Sequence, residues 1–431
     1  MRFFSFFALS LIGAASAEWC QELCDSYSPC HYSKFGSYSQ DDGACYGFYQ
    51  KGKGFCFQPT EGGDCDDEVL RPVYSPMERH APGKVLVIYT GGTIGMLPYA
   101  NGTLHPVPGY LTEQLNNLPE LQAPGMPAFD VIEYENLIDS SDMSPAHWAQ
   151  MAKTIEDNYA DYDGFVILHG TDTMAYSSGA LDYMFSNLSK SVIVTGSILA
   201  FDEPHSDARR NMVISIMLAG LYTIPEVSIF FDTELIRGTR AVKIDSGAIE
   251  AFESPKFPYL ATMGVGLAFD KELVLPAPTG PFAVQSNMES SILPIRVIPG
   301  LTSFESLSPE AVKGVVLMLY GTGDAPSNQV AFTDFLVECQ DRDVPVVAVS
   351  QVLRGVVELA DYAAGAQLLD LGIISGGDMT PEAAVTKLSY MLGAGMKTAD
   401  IANDFGVNIR GEITMNDSSA EDPFRDLSFG N

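Results

Sequence analysis

The chain is expected to be an α/β protein: two lobes built on mostly parallel sheets, preceded by a small disulfide-rich module. Three observations predict this. Short apolar runs alternate with stretches of helical period through most of the 431 residues. Several of those runs end in glycine followed by hydroxyls or a carboxylate. Six of the seven cysteines are crowded between Cys20 and Cys65, the pattern of a small module that relies on disulfides.

At the start, Met1-Arg2, a short apolar run and Ala15-Ser16-Ala17 describe a signal peptide over residues 1–17, cleaved after Ala17. That run is too short to span a bilayer, and no later stretch of about 20 apolar residues appears. The mature chain is expected to be soluble and bound to no membrane, either outside the cell or in a vacuole-like compartment. Residues 18–70 form the Cys-rich module. Its spacings lack paired C-x-x-C, which disfavours a zinc site and leaves three disulfides of open connectivity. Its aromatic residues, among them Tyr46, Phe48, Phe55 and Phe57, are expected to pack against those disulfides. Residues 71–83, with Pro72, Pro76 and Pro82, read as a linker.

The first α/β lobe is expected over residues 84–280. Val-Leu-Val-Ile-Tyr at 85–89 reads as a strand buried on both faces. It ends in Thr-Gly-Gly-Thr at 90–93, which would place the hydroxyls of Thr90 and Thr93 at the mouth of a pocket. Pro98, Gly102, Pro106, Pro108 and Gly109 follow without periodicity and suggest a mobile loop. Ser144-Pro145 opens a helix carrying Trp148, Met151 and Ile155 on one face. Phe-Val-Ile-Leu at 165–168 repeats the first arrangement, because His169-Gly170-Thr171-Asp172-Thr173 follows it directly. Further strands are expected at 192–194 and 227–231, with a long helix between. Proline-rich residues 276–294 mark a boundary. The second lobe, 295–412, repeats the pattern with strands at 315–320 and 346–349 and a helix opened by Thr380-Pro381. Cys339, inside a helical pattern, is expected to be a buried free thiol. Residues 413–431 read as an acidic tail.

The net charge of −31 argues against nucleic-acid or anionic-membrane partners, which need a basic surface. Neither glycine turn has the G-x-G-x-x-G or terminal G-K-[S/T] of a nucleotide fold. Three N-x-[S/T] sequons stand at Asn101, Asn187 and Asn416. Asn187 and Asn416 are the expected glycan acceptors, because Asn101 lies in the segment expected to close over the site.

A hydroxyl needs help to become a nucleophile. His169 lies inside one of the two glycine signatures and is one candidate base. Lys243, in Arg237-Gly238-Thr239-Arg240-Ala241-Val242-Lys243, is another, although a lysine taken alone is more often a surface charge.

Together, Tyr89-Thr90-Gly91-Gly92-Thr93-Ile94-Gly95-Met96 and His169-Gly170-Thr171-Asp172 resemble the two signatures of the bacterial-type L-asparaginase family, its type I branch in particular. The resemblance runs from about residue 84 to 412 and does not touch the Cys-rich module. It implies an amidohydrolase without metal or organic cofactor that converts L-asparagine to L-aspartate and ammonia, with glutamine a weaker substrate. Thr93 would attack the amide carbon. Thr171 would be the second catalytic threonine, polarised by Lys243, and His169 would have no base role. Asp172 would hold the substrate α-amino group. Asp139, Ser140 and Ser141 form the D-S-S stretch that would grip its α-carboxylate. A homodimer or homotetramer is implied, with Asp324 facing a neighbouring subunit's site. Leu104 stands where type I relatives have a lid tyrosine, leaving Tyr99 or Tyr110 to replace it. Asp324 stands where the G-x-G-N motif has asparagine. Val352 occupies the place of an effector-linked cysteine, so allosteric control is not implied. The alternatives are a secreted binding protein whose module engages a sugar or partner beside a weak or inactive body, or an amidase for another small amide.

Overall fold

The structure, a computed structural model, describes residues 79, 81–99, 101–360 and 363–415, and the backbone of strands β1 (Cys45–Gln50) and β2 (Gly54–Pro59). The chain divides after Glu78 into two compact units. In the first, β1 and β2 pair antiparallel, with Cys45 opposite Pro59 and Phe48 opposite Cys56. The expected signal peptide, the disulfides and aromatic packing of the module, and the tail beyond residue 415 lie outside the described residues. Part of the expected linker belongs to the second unit. Arg79 donates its backbone N–H to the Leu221 carbonyl (2.7 Å), and its guanidinium reaches the Asp163 carbonyl (2.5 Å).

Among the described residues the second unit holds an eight-stranded sheet, a four-stranded sheet and three two-stranded ones. β3 (Lys84–Gly91) is buried everywhere except Lys84, as a strand covered on both faces must be. β4 (Met96–Pro98) and β5 (Leu104–Pro106) form an antiparallel hairpin, where the sequence suggests an aperiodic loop. Tyr99 closes it by donating its N–H to the Thr103 carbonyl (2.7 Å). Next come β6 (Ala128–Ile138), β7 (Gly164–Leu168), β8 (Phe185–Ser186), β9 (Ser191–Thr195), β10 (Val227–Phe231) and β11 (Glu234–Arg237). A small hairpin of β12 (Val242–Lys243) and β13 (Phe252–Glu253) precedes β14 (Ala261–Met263) and β15 (Leu267–Phe269). The spatial order is β15-β14-β11-β10-β9-β7-β3-β6. β6, β3, β7, β9 and β10 run parallel, while β11, β14 and β15 add an antiparallel edge.

The first strand of this sheet, β3, has the second on one side and the third on the other. The winding direction therefore reverses between β3 and β7, and a crevice opens beyond the carboxyl ends of those two strands. Helix Pro145–Asn158 covers one face with Met151 and Ile155, while Trp148 donates from its indole to Ser177 Oγ (2.8 Å). Ser144 sits at the N-cap, but its hydroxyl meets His147 Nδ1 instead of a backbone N–H.

β16 (Ala283–Val284) pairs back onto β8, so the proline-rich boundary stretch is stitched to the first lobe. β17 (Ile292–Arg296) opens the second sheet at residue 292, not 295. It continues through β18 (Gly314–Leu319), β19 (Val346–Ser350) and β20 (Ile374–Ser375), all parallel. Helix Val330–Asp341 buries Cys339, and burial pushes its thiol up to about 12. Among the described residues no helix is long and apolar enough to cross a membrane.

The lobes meet where helix Met174–Met184 packs on helix Pro381–Gly393, with Tyr183 and Tyr390 stacked at 6.1 Å. Buried charges surround this contact. Arg240 pairs with Asp378 (2.8 Å), and Arg237 with Glu226 (2.5 Å). Lys387 pairs with Glu412, both fully buried. Arg240 Nε also donates to the Gly411 carbonyl (2.6 Å), and Thr239 Oγ1 to that of Arg410 (3.2 Å). Residues 409–412 thus buttress the turn that leads into Lys243. The fold extends past residue 412, because Ile413 is buried and Thr414 donates its N–H to Asp378 (2.8 Å).

Candidate active site

Three loops converge at the crevice. A bulge between Tyr89 and Gly91 ends the regular pairing of β3 with β6, and Gly91 then sits opposite Ile138. Gly92 has a φ of +92°, and a Cβ there would fall 2.5 Å from the Gly170 amide nitrogen. A Cβ on Gly170 would in turn fall 2.5 Å from Ser140 Oγ. Glycine at both positions lets the loops after β3 and β7 meet backbone to backbone and leaves room for the Ser140 side chain against Gly170. Thr93 opens a 3₁₀ turn, Thr93–Gly95, and is half-buried at this meeting point.

Thr90 is not at the mouth. It is buried, and its hydroxyl donates to the Leu168 carbonyl (3.0 Å), tying the ends of β3 and β7 together. Strand alternation turns one hydroxyl of a Thr-Gly-Gly-Thr stretch inward, and sequence alone does not say which.

Lys243 reaches the site from β12. Its Nζ donates to Thr171 Oγ1 (2.8 Å) and pairs with Asp172 Oδ1 (2.7 Å). The lysine side chain is 18% exposed, whereas that of Asp172 is 65% exposed and open to a ligand. Nζ is therefore placed as a donor to Thr171 Oγ1, a position from which a cation can stabilise negative charge on that oxygen. Arg237 and Arg240 make no contact of this kind; their buried ion pairs hold the turn before Lys243.

Asp139 Oδ1 accepts from the N–H of Ser141 (3.0 Å) and from its hydroxyl (2.9 Å). Ser140 is buried, and its carbonyl accepts from Thr173 Oγ1 (2.7 Å). The D-S-S stretch is thus locked onto the second signature, with Asp139 and Ser141 exposed. Asp324 belongs to the other lobe. It follows β18 in the second lobe, in a backbone bridge to Tyr320 (3.0 Å in each direction). Among the described residues no hydrogen bond or ion pair links it to the first-lobe group. No group of three or more His, Cys, Asp or Glu there is placed to hold a metal ion.

His169 is fully buried, with Nδ1 at 2.6 Å from the Gly170 carbonyl. Burial lowers its pKa from 6.5 to about 4. It is neutral and sealed from solvent, which does not suit a base that must exchange protons with a substrate. The folded protein leaves His169 unprotonated while the unfolded chain takes up a proton below about pH 6.5. Stability from this residue is therefore complete above that pH. It falls by about 3 kcal/mol as pH drops toward 4. Denaturant titrations of the parent and His169→Asn should show this part of the acid loss only in the parent.

The hairpin that leaves the Thr93 turn, and the helix after it, carry the residues named for a lid. Leu104 is exposed on β5. Tyr99 is exposed too and stacks on His105, ring centroids 3.5 Å apart. Tyr110 begins helix Tyr110–Asn117 and is half-buried. Among the described residues no hydrogen bond joins either tyrosine to Thr93. Glu133, which sequence reasoning missed, anchors the return of this segment. It accepts from the Gly109 N–H and the Thr112 hydroxyl, both at 2.6 Å. Its partners are more than twenty positions away, so only the pairing of β6 beside β3 reveals it.

The family model described as "Asparaginase, N-terminal" matches residues 84–275, and "Glutaminase/Asparaginase C-terminal domain" matches residues 298–405. The chain belongs to the asparaginase family. L-asparaginase 1 of Escherichia coli is 41% identical over 335 residues, covering 77% of this chain and 98% of that protein. The crystal structure of L-asparaginase I from Vibrio cholerae superposes with a TM-score of 0.71 at 39% identity, over 78% of this chain and all of the other. The family also includes proteins with other names. The mouse "60 kDa lysophospholipase" is 37% identical over 77% of this chain but only 63% of its own length. In this asparaginase-family chain both matched regions lie in the second compact unit. Thr93, Asp139, Ser140, Ser141, Thr171, Asp172 and Lys243 all fall within the N-terminal match, and Asp324 within the C-terminal one.

Proposed function

We propose that this asparaginase-family hydrolase is a secreted L-asparaginase. The observation that carries the reading is the Lys243–Thr171–Asp172 contact set beside the meeting of Gly92 with Gly170. In this reading Thr93 attacks the side-chain amide carbon of L-asparagine. Thr171, with its oxygen held by the Lys243 ammonium, takes part in the proton movements that free the nucleophile and protonate the departing ammonia. Backbone N–H groups of the Gly92–Thr93 and Gly170–Thr171 turns stabilise the oxyanion. Water then hydrolyses the Thr93 ester and releases L-aspartate. Asp172, the exposed carboxylate of the set, receives the α-ammonium group. Ser140, Ser141 and Asp139 border the place of the α-carboxylate. Charge complementarity sets that direction: the one acid free of the D-S-S turn meets the cation.

The chain works as a homodimer or homotetramer in which Asp324 faces a neighbour's site. Among the described residues Asp324 makes no hydrogen bond or ion pair to the first-lobe group of its own chain, which supports that assignment. The signal-peptide pattern of residues 1–17, a basic start, a short apolar run and Ala15-Ser16-Ala17, supports export to the cell exterior or a vacuole-like compartment. The exposed Leu104 and the carboxylate at Asp324 keep one second reading in view, an amidase for a different small amide such as glutamine.

The deciding experiment is ammonia release from L-asparagine by the mature protein and by a folded Thr93→Ala variant. Loss of release by about 10⁴-fold or more in the variant is expected for a missing nucleophile. Release that persists in Thr93→Ala would reassign the attack to Thr171 or water. No release from the parent on asparagine, with release on glutamine, would select the second reading.

A further inference from the structure

From the geometry of the β4–β5 hairpin we infer that Asn101 carries an N-linked glycan, reversing the preference for Asn187 drawn from sequence alone. Asn101-Gly102-Thr103 is the tip of the hairpin, and all three residues are exposed. Asn101 Oδ1 accepts from the Thr103 N–H (3.0 Å) and the Thr103 hydroxyl (2.8 Å). This is an Asx turn that uses the carbonyl side of the amide. Among the described residues nothing accepts from Nδ2, the atom a glycan would occupy. Space around the tip is open, since a Cβ on Gly102 would meet nothing within 4 Å.

Asn187 is the opposite case. Its backbone has a φ of +53°, and its side chain is half-buried. Oδ1 accepts from the Gly280 N–H (3.3 Å), and a Cβ on Gly280 would fall 2.7 Å from Nδ2. Residues next to Gly280 lead into β16, which pairs with β8 just before Asn187. The Asn187 amide is thus engaged with the Gly280 backbone, and a sugar on Nδ2 would have to share the space beside that segment. Asn416, the third sequon, lies outside the described residues.

The chemistry is a group transfer. Nδ2 attacks the anomeric carbon of a lipid-pyrophosphate-linked oligosaccharide. The C–N bond forms as the carbon–oxygen bond to pyrophosphate breaks. The amide loses one proton, and the lipid pyrophosphate leaves with the bonding electron pair. The glycan then projects from the far end of the hairpin whose near end joins the Thr93 turn. Among the described residues Asn101 shares no hydrogen bond with the candidate active-site residues.

The inference rests on the proposed secretion, and the test separates the two. The full chain with its own leader is expressed in a eukaryotic host whose secretory pathway glycosylates asparagine. Peptides are mapped before and after peptide-N-glycosidase, and the N-terminus is sequenced. The expected result is a removed leader and a glycopeptide spanning Asn101 that returns as aspartate after the enzyme. Asn101→Gln and Thr103→Ala should each lose that glycan completely, and Thr103→Ser should keep it. A removed leader with an unmodified Asn101 peptide overturns the assignment, and a glycan on Asn187 in the folded protein overturns the preference for Asn101 over it. An intact leader and no glycan overturns the proposed secretion and this site with it.

Discussion

Lys243→Met is expected to lower kcat for ammonia release from L-asparagine by about a thousandfold, the cost of removing one preorganised donor from a developing oxyanion or more. The Lys243 ammonium sits 2.8 Å from Thr171 Oγ1 and 2.7 Å from Asp172 Oδ1. Its removal leaves Thr171 with an ordinary hydroxyl and leaves Asp172 unpaired. Because Lys243 is part-exposed at the end of a two-residue strand, the substitution should cost little stability, and circular dichroism should be unchanged. KM should move far less than kcat, since the effect falls on charge that develops during reaction. A variant within about tenfold of the parental kcat would remove Lys243 from the mechanism.

The largest stability effect is expected at the lobe junction. Lys387 and Glu412 are both fully buried and paired. The pair is saturated with partners. Lys387 Nζ also donates to the carbonyls of Phe405 (2.8 Å) and Val407 (2.6 Å). Glu412 accepts from the N–H groups of Ile409 (3.1 Å) and Arg410 (2.7 Å). Lys387→Met strands a buried carboxylate and two carbonyls, and about 3–5 kcal/mol of stability should be lost. Adding Glu412→Gln should recover part of that loss, because the stranded charge is gone. Denaturant midpoints of the parent, the two single variants and the double variant measure both effects. If the double variant were as unstable as the sum of the singles, the two residues would not be acting as a pair. The same region supports the turn before Lys243, through Arg240 on Gly411 (2.6 Å) and Thr239 on Arg410 (3.2 Å). Lys387→Met should therefore also lower activity at temperatures where the fold is still largely intact.

Much of the first lobe was legible in advance, for one reason. A strand covered on both faces must be a continuous apolar run, and a catalytic turn at its end must contain glycine. Residues 85–93 and 165–171 satisfy both conditions, and the structure places them side by side as β3 and β7. The helix start at Ser144-Pro145 and the cap at Thr380 were legible as well. Thr380 Oγ1 accepts from the Ala383 N–H at 3.1 Å. The hairpin at 96–106 was not legible, because its two three-residue strands are too short and too rich in proline for an alternation to show. The two-residue strands β8 and β16 escaped notice for a similar reason, and with them the stitching of the proline-rich boundary to the first lobe.

Sequence by itself determined the class of fold, the two glycine turns and their candidate threonines, and through these the family. Those features are local: each depends on which residues are neighbours along the chain. Tertiary structure alone decided the rest. It turned Thr90 inward onto Leu168 and left Thr93 at the crevice. It buried His169 and brought Lys243, more than seventy positions away, onto Thr171. It also assigned Glu133 to Gly109 and Asn187 to Gly280. Each of these is a contact between distant segments whose partner is chosen by strand order and burial. A local pattern of residue types carries no record of that choice.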